Sequence, residues 1–205
     1  EETRKKLDEA LVFLRRAASE GKIILFLGTK DQAKEIVKRH ALAANCPYII
    51  ERWLGGMLTN HGEIQNLLRK FRRWKAEKAS GEMAAKYTKK EQNKYHKEIV
   101  KLEKFLGGME ALERRPDVVF IVDFKKEKTA VREAKMTGTA IVGMVDTNVN
   151  PEGVTYPIPA NDDATKSIEL IVGLASQAVI EGRAMTQSIA PTSVIPETQK
   201  QALSI

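Results

Sequence analysis

The sequence contains 205 residues, of which 42% are apolar, and it carries a formal net charge of +7. This length and apolar content suffice for one domain, or one domain with an insertion, and the composition gives no reason to expect a disordered or fibrous chain. The sequence lacks the ~18 to 20 consecutive apolar residues that span a bilayer, so no membrane partner is expected. The only cysteine, Cys46, excludes an intrachain disulfide and indicates a reducing compartment.

The predicted elements alternate between helices and short apolar strands along most of the chain. Helices are predicted over residues 7–18, from 31 to before 47, over 127–136 and from 162 or 163 to 182, and strands over 22–28, 47–50, 116–123 and 139–146. Asp162 or Asp163 is the predicted N-cap of the last helix. Residues 151–159 contain three prolines and are predicted as an extended loop. Because each strand is apolar throughout, we predict an α/β, Rossmann-like parallel sheet with helices on both faces.

Residues 62–106 interrupt this alternation with two amphipathic helical patterns. The first apolar stripe comprises Ile64, Leu67, Leu68, Phe71 and Trp74, and the second comprises Tyr95, Ile99, Leu102 and Leu106. Thr88 and Glu91 are spaced as a capping box at the start of the second helix. Two such helices are expected to pack as an antiparallel, coiled-coil hairpin, with the glycine pairs at 55–56 and 107–108 as its hinges.

The predicted domain organisation therefore has three parts. Residues 1–61 and 107–183 form a discontinuous α/β core domain, and residues 62–106 form the inserted helical hairpin. Residues 184–205 are predicted to be a flexible tail, because they are rich in polar residues and show no clear periodicity.

The positive charge is concentrated in the predicted hairpin. Residues 62–106 contain 13 Lys and Arg against 6 Asp and Glu, whereas the rest of the chain has 21 of each sign. A basic segment on a neutral body favours a polyanionic partner such as nucleic acid. The candidate phosphate contacts are Arg69, Arg72, Arg73, Lys75, Lys86, Lys89, Lys90, Lys94, Lys97 and Lys101. The alternative is a solvated helix face of mixed charge, since Glu77, Glu91 and Glu98 interrupt the basic run.

Catalytic patterns are sparse. The turn Gly28-Thr29-Lys30 joins a strand to a helix, where a doubly wound fold can hold phosphate, but neither a dinucleotide-binding nor a Walker glycine pattern is present. Asp123 and Asp146 end strands and can in principle hold Mg²⁺ or act as acid and base. Caps and turns explain these residues more simply. His40, His61, His96 and Cys46 have no second ligand at metal spacing. We therefore expect no catalytic residue, metal or cofactor, and keep a phosphate-binding enzyme as the alternative.

One long string is not explained by periodicity. RWLGGMLTN, at residues 52–60, resembles the signature of the bacterial-type small-subunit ribosomal protein S-two family. Three further strings follow in the expected order, at residues 101–109, 116–123 and 145–171. Together they extend the resemblance from about residue 7 to about residue 183.

The resemblance implies a flavodoxin-like α/β domain with a protruding helical hairpin and no catalytic activity. It implies a structural role in the small ribosomal subunit, in contact with small-subunit rRNA and neighbouring proteins, including ribosomal protein S-one in bacteria. The location implied is a bacterial, plastid or mitochondrial ribosome. Within the signature loop, Trp53, Gly55, Gly56 and Asn60 are expected to order the junction between core and hairpin. Arg52 is expected to be free for phosphate.

The sequence departs from the family at its start. Members of the family are expected to have an N-terminal arm and a first strand before the helix with which this sequence opens. A sheet without that strand is expected to have an open edge. The acidic residues Asp123, Asp146, Asp162 and Asp163 are expected to shape loops at the edge of the sheet.

Overall fold

Short apolar strands form one parallel sheet in the computed structural model, which describes residues 2–146 and 150–189. They are β1 (Ile24–Leu27), β2 (Tyr48–Ile49), β3 (Val118–Ile121), β4 (Ala140–Val145) and β5 (Tyr156–Pro159). Their spatial order is β2-β1-β3-β4-β5, and every neighbouring pair is parallel. This is the order of flavodoxin-like doubly wound sheets. The predicted α/β class is therefore confirmed.

Helices connect the strands and cover the sheet. They are α1 (Glu2–Ser19), α2 (Asp31–Ala43), α3 (His61–Ala79), α4 (Glu82–Lys86), α5 (Lys89–Leu106), α6 (Lys128–Thr137) and α7 (Thr165–Ile189), with a 3-10 turn at Gly107–Met109. None of these helices is both long and apolar enough to cross a bilayer.

The alternation of side chains along the strands separates two buried clusters. Ile24 and Phe26 point to the side covered by α1, α2 and α7. Leu25 and Leu27 point to the opposite side, where they share a cluster with residues of α3, α5 and α6. Because both faces are covered, every residue of β1 and β3 is buried, which explains why these strands are apolar throughout.

The fifth strand corrects the prediction of an extended loop over residues 151–159. Its last four residues pair with β4, with Tyr156 opposite Val142 and Pro159 opposite Val145. Proline lacks an N–H, so it is tolerated in a sheet mainly on an edge strand, which is where β5 lies. The strand was missed because its two prolines are also typical of loops.

The opposite edge of the sheet is short and covered. The strand there, β2, has only two residues. A Cβ atom placed on Gly108 would lie 2.3 Å from the Tyr48 carbonyl oxygen, so the backbone packs directly against this strand. Gly108 is therefore a close-packed contact rather than the predicted hinge. A two-residue edge and a proline-containing edge both limit pairing with a further strand, unlike the open edge expected from the sequence.

The last helix also differs from the prediction. It begins at Thr165 and continues to Ile189, past the predicted end at residue 182. The predicted caps Asp162 and Asp163 do not cap it, because both carboxylates pair with Lys30. Asn161 accepts hydrogen bonds from the backbone N–H groups of Asp163 and Ala164 instead. Residues 184–189 of the predicted flexible tail therefore belong to this helix, and residues 190–205 lie outside the described residues.

Candidate nucleic-acid interface

The signature loop, residues 52–60, is held by one buried carboxylate. Glu133 of α6 is 5% exposed. Its Oε1 accepts hydrogen bonds from the Trp53 indole N–H at 3.1 Å and the Gly56 backbone N–H at 2.8 Å. Its Oε2 accepts from the backbone N–H of Leu58 at 2.9 Å, and from both the backbone N–H and the hydroxyl of Thr59 at 3.2 Å. Five donors from the loop therefore converge on this carboxylate.

The electrostatics of Glu133 follow from these contacts. Burial raises the pKa of a carboxyl group, but the hydrogen bonds from Leu58, Trp53, Gly56 and Thr59 outweigh it and hold the pKa of Glu133 below its ordinary value. The carboxylate is therefore ionised at neutral pH. A buried charge that accepts several hydrogen bonds fixes the loop far more strongly than an exposed one would.

Other signature-loop residues have different environments. Trp53 is buried, as expected of a residue that orders the junction. Gly56 has a φ of +88°, a left-handed conformation that favours glycine, whereas a Cβ atom on Gly55 would meet nothing within 4 Å. Asn60 precedes α3 without capping it through its side chain. Arg52 is exposed, as the resemblance implied.

The turn Gly28-Thr29-Lys30 is closed to phosphate by its own neighbours. The Lys30 ammonium lies 2.6 Å from an Asp163 carboxylate oxygen, 2.9 Å from Asp162 and 3.5 Å from Asp123. Loss of hydration lowers the pKa of Lys30, but these carboxylates outweigh that effect and raise the pKa above its ordinary value. An anion in this turn would meet three negative groups around a lysine that is already paired.

The glycine of this turn has a packing role. A Cβ atom on Gly28 would lie 2.7 Å from the Val37 side chain, so the turn needs glycine for close packing with α2. The Thr29 hydroxyl donates to the buried carboxyl of Glu127, and Lys126 donates to the Thr29 carbonyl at 2.9 Å. The side chains of Thr29 and Lys30 are therefore both engaged within the protein, and the alternative hypothesis of a phosphate-binding enzyme is not supported.

Three carboxylates at this end of the sheet lie close together. Oxygens of Asp146, Asp162 and Asp163 fall within 4.8 Å of one another. Two of them already pair with Lys30, so an ammonium group supplies the cation that such a cluster needs. Burial raises the pKa of Asp162, and the Lys30 ammonium opposes this rise without cancelling it. The expected loop-shaping role suits these contacts, which join the ends of β1 and β3 to the start of α7.

Several cations of α3 are engaged within the protein. The Arg72 guanidinium donates to the backbone carbonyls of Glu110 at 2.6 Å and Leu112 at 3.0 Å. Lys75 pairs with carboxylates of Glu110 at 2.6 Å and Glu103 at 3.2 Å. These contacts tie α3 to α5 and to the segment that follows it, so both residues have structural roles.

Three further candidates are exposed but already have partners. Arg69 donates to the side chain of Asn66. Arg73 pairs with Glu77, and Lys86 pairs with Glu82 at 2.6 Å and with the same Glu77 at 3.4 Å. The mixed-charge alternative describes this part of the predicted hairpin, although exposed side chains can exchange such partners.

The lysines of α5 differ from the cations of α3. Lys90, Lys94, Lys97 and Lys101 are all exposed and follow the spacing i, i+4, i+7, i+11, which places them on one face of the helix; we call them the α5 stripe. The stripe lies opposite the apolar side of α5, which carries Ile99. In the described residues no carboxylate lies within 4.0 Å of these four ammonium groups, nor of Lys89.

Local packing explains why α5 presents this face. The Trp74 ring of α3 lies 5.0 Å from the Tyr95 ring of α5, and Tyr95 lies 4.7 Å from Tyr87. The predicted capping box is confirmed, since Thr88 and Glu91 exchange hydrogen bonds between side chain and backbone. The cap fixes where α5 begins, and the aromatic contacts fix its rotation, so the lysines face solvent.

A profile of the ribosomal protein S2 family matches residues 1–182. The chain belongs to this family. The resemblance carried by the signature string is thereby confirmed, because the matched range contains all four strings on which it rested.

Curated relatives agree with this assignment. The small ribosomal subunit protein uS2 of Fusobacterium nucleatum is 41% identical over 189 residues, which cover 92% of this chain and 76% of the relative. That of Coprothermobacter proteolyticus is 42% identical over 189 residues, covering 92% and 70%. That of Dictyoglomus turgidum is 41% identical over 199 residues, covering 97% and 80%.

The signature string of the family forms the loop that donates to Glu133, a residue that the sequence-based predictions did not include. Glu133 lies 80 residues from Trp53 and in a different helix. One signal was available in the sequence, since Glu133 follows Ala130 by three positions and precedes Ala134, a spacing that places it on the same side of a helix as these apolar residues. The structure brings Glu133 and the signature loop together but leaves the α5 stripe separate from them.

Proposed function

We propose that this protein is a structural constituent of the small ribosomal subunit and that it binds small-subunit rRNA through the α5 stripe. The observation that carries the proposal is a row of four exposed lysines that have no carboxylate partner among residues 2–146 and 150–189, in a chain of the ribosomal protein S2 family. Lysines in this arrangement neutralise successive phosphates and release counterions, and such contacts depend little on base sequence.

The proposed binding element is the segment over residues 62–106. We infer that α3 and α5 act together as a helical hairpin inserted into an α/β core of residues 1–61 and 107–183. The tilted contact between Trp74 and Tyr95 supports this division. So does the anchoring of α3 by Arg72 to the carbonyls that follow α5. In this arrangement Arg72 and Lys75 of α3 stabilise the base, and the α5 stripe binds RNA.

Arg52 is proposed as an additional phosphate contact. It is exposed, and it precedes Trp53, which the Glu133 carboxylate holds in place. Arg69, Arg73, Lys86 and Lys89 are proposed as secondary contacts, because their side chains are exposed. Arg72 and Lys75 are assigned a structural role instead.

Neighbouring proteins of the small subunit are proposed as further partners, with ribosomal protein S-one among them. The family assignment supports this part of the proposal, since the relatives are named as proteins of the small ribosomal subunit. No catalytic activity and no small-molecule substrate are proposed. The curated relatives are bacterial, so the proposed location is the ribosome in the bacterial cytoplasm.

The test is sedimentation of the tagged protein with ribosomal subunits at low and high salt. The expected result is comigration with the small subunit at low salt and release at high salt, because the contacts are electrostatic. Protein that remained in the soluble fraction at low salt would contradict the proposal. A variant with the α5 stripe changed to glutamine is expected to remain in the soluble fraction, while a variant with four other exposed cations changed is expected to sediment.

A further inference from the structure

A second set of exposed cations lies on α6, outside the predicted hairpin. Lys128, Arg132 and Lys135 follow the spacing i, i+4, i+7, so they share one face of the helix, and Lys125 immediately precedes it. With a rise of about 1.5 Å per residue, the three helical cations extend over roughly 10 Å. We call these four residues the α6 basic face.

The α6 basic face borders an open cleft. The cleft has a volume of about 490 Å³, and its other lining residues include Phe124, Val131, Val154, Asn150 and Glu152. Lys135 crosses it and donates to the Glu152 carbonyl at 2.6 Å. The surface therefore combines a row of cations with a partly apolar floor.

The acidic residues of this region do not neutralise the face. Glu127 is 4% exposed and accepts from the Thr29 hydroxyl, and Glu133 is 5% exposed and accepts from the signature loop. Glu152 is the one carboxylate lining the cleft in the part of the chain that the structure describes. There, no carboxylate lies within 4.0 Å of the Lys125, Lys128 or Arg132 cations.

The sequence did not predict the α6 basic face, because the charges outside residues 62–106 cancel when they are counted together. Outside residues 62–106 the chain has equal numbers of acidic and basic residues. Several of the acidic ones, such as Asp123 and Asp162, are buried at internal contacts, whereas the cations of α6 are exposed. Residues 125–135 carry five cations and two carboxylates, and both carboxylates are buried, so this segment presents a positive surface although the chain outside residues 62–106 is neutral as a whole.

We infer that the α6 basic face is a second RNA-contacting surface, which binds the sugar-phosphate backbone of small-subunit rRNA at a place separate from the α5 stripe. The inference rests on the proposed function, since it assigns a further surface to the same partner. An extended row of separate cations suits a chain of phosphates. A single phosphate ligand would instead need several donors converging on one point, as backbone N–H groups do in a glycine-rich turn.

The test compares two full-length triple variants with the unchanged protein. One carries Lys125→Gln, Lys128→Gln and Arg132→Gln. Lys135 is kept because it holds the loop at Glu152. The matched control carries Lys5→Gln, Arg115→Gln and Lys166→Gln, which remove the same charge from exposed positions without an ion pair in the described residues. Circular dichroism and thermal unfolding check that all three proteins fold.

The readout is the affinity for purified small-subunit rRNA over a range of salt concentrations. Each lost phosphate contact lowers the slope of log affinity against log salt by ~0.7 to 0.9. The α6 triple variant is therefore expected to lose about 2 to 3 from the slope and roughly a hundredfold in affinity at ~0.1 M salt. The control variant is expected to keep nearly the same slope and nearly the same affinity as the unchanged protein.

A second measurement is acetylation of lysines in the protein assembled into small subunits. Lys125 and Lys128 are expected to be protected, and Lys5 is expected to react. The inference is overturned if the α6 variant binds rRNA as the control does. It is also overturned if the variant keeps its rRNA affinity but loses a neighbouring protein from the particle, because the face would then bind protein. Failure of the unchanged protein to enter small subunits would instead contradict the proposed function itself.

Discussion

The helices α3 and α5 carry similar numbers of cations but use them in opposite ways. Arg72 and Lys75 of α3 form hydrogen bonds and ion pairs with the segment after α5. Lys94 and Lys97 of α5 face solvent. A count of basic residues therefore does not measure the positive charge that is available to a partner. Available charge depends on which side of each helix packs and on where carboxylates and carbonyls lie.

The largest expected effect comes from removing the α5 stripe. Changing Lys90, Lys94, Lys97 and Lys101 to glutamine is expected to lower the slope of log rRNA affinity against log salt by about 3, since each phosphate contact contributes ~0.7 to 0.9. At ~0.1 M salt this corresponds to a loss of roughly a thousandfold. The melting temperature is expected to change little, because these side chains make no internal ion pair in the described residues. Affinity is measured with purified small-subunit rRNA.

A control for this variant carries Arg4→Gln, Lys5→Gln, Arg115→Gln and Lys166→Gln, which remove the same charge from exposed positions. If both variants lost affinity equally, overall charge rather than the stripe would determine binding. The distinction between the two helices would then fail.

A buried anion extends the comparison to charge of the opposite sign. Glu133→Gln replaces two acceptor oxygens with one and brings an amide donor against the loop N–H groups, so we expect a loss of about 3 kcal/mol in the free energy of unfolding. Urea unfolding measures it. Glu113→Gln, at an exposed position, is the matched control and is expected to be nearly neutral. Equal stability of the two variants would show that the signature loop does not depend on Glu133.

Comparing the unchanged protein with Glu133→Gln at different pH values gives a further prediction. The pKa of Glu133 is lower in the folded state than the ordinary value of 4.5. The ionised carboxylate therefore makes its full contribution to the free energy of unfolding above about pH 4.5. The contribution is lost as the pH falls through the folded-state pKa. The stability difference between the unchanged protein and Glu133→Gln is therefore expected to be constant near neutrality and to shrink below about pH 4.5. A difference that grew on acidification would mean that Glu133 is not held as an anion.

A smaller loss of stability is expected at Arg72. Arg72→Ala removes charge-assisted hydrogen bonds to the carbonyls of Glu110 and Leu112, so unfolding is expected to require about 2 kcal/mol less. The slope of rRNA affinity against salt is expected to stay unchanged in folded protein. Arg115→Ala provides the control at an exposed site. A reduced slope without a loss of stability would move Arg72 from the structural set to the RNA-binding set.

The smallest expected effect concerns the cap of α5. Thr88→Ala removes the hydroxyl that accepts from the Glu91 N–H, which is expected to cost about 1 kcal/mol in urea unfolding. Hydrogen exchange is expected to rise in the first turn of α5, near Lys89 and Lys90. Thr88→Ser keeps the hydroxyl and is expected to restore protection. If serine behaved like alanine, the cap would not explain where α5 begins.

Local patterns predicted most of the fold. The buried strands follow from short apolar runs, and the capping box at Thr88 follows from a spacing of three residues. The strand β5 was missed because Pro157 and Pro159 are also typical of loops, and only its edge position makes them acceptable. Helix α7 was predicted too short at its C-terminal end, where polar residues follow Arg183.

The candidate site was harder to predict because its contacts are distant in sequence. Glu133 accepts from residues 74 to 80 positions away, and no local pattern contains that information. The carbonyls that engage Arg72 lie 38 and 40 positions further along the chain. Charge is therefore the one local signal that selects the RNA-binding candidates. It could not separate the arginine that anchors α3 from the lysines that remain exposed.

The carboxylate of Glu133 also bears on the order in which the chain acquires its structure. During synthesis the signature loop and helices α3 to α5 emerge before Glu133, which is 80 residues later than Trp53. Helical contacts within residues 61–106 can form early, because local contacts need little loop closure. The hydrogen-bond donors of the signature loop have no Glu133 carboxylate to bind until α6 has been synthesised. Residues 61–106 are therefore expected to be helical while the signature loop still lacks its acceptor, and completion of α6 becomes the step that fixes this loop.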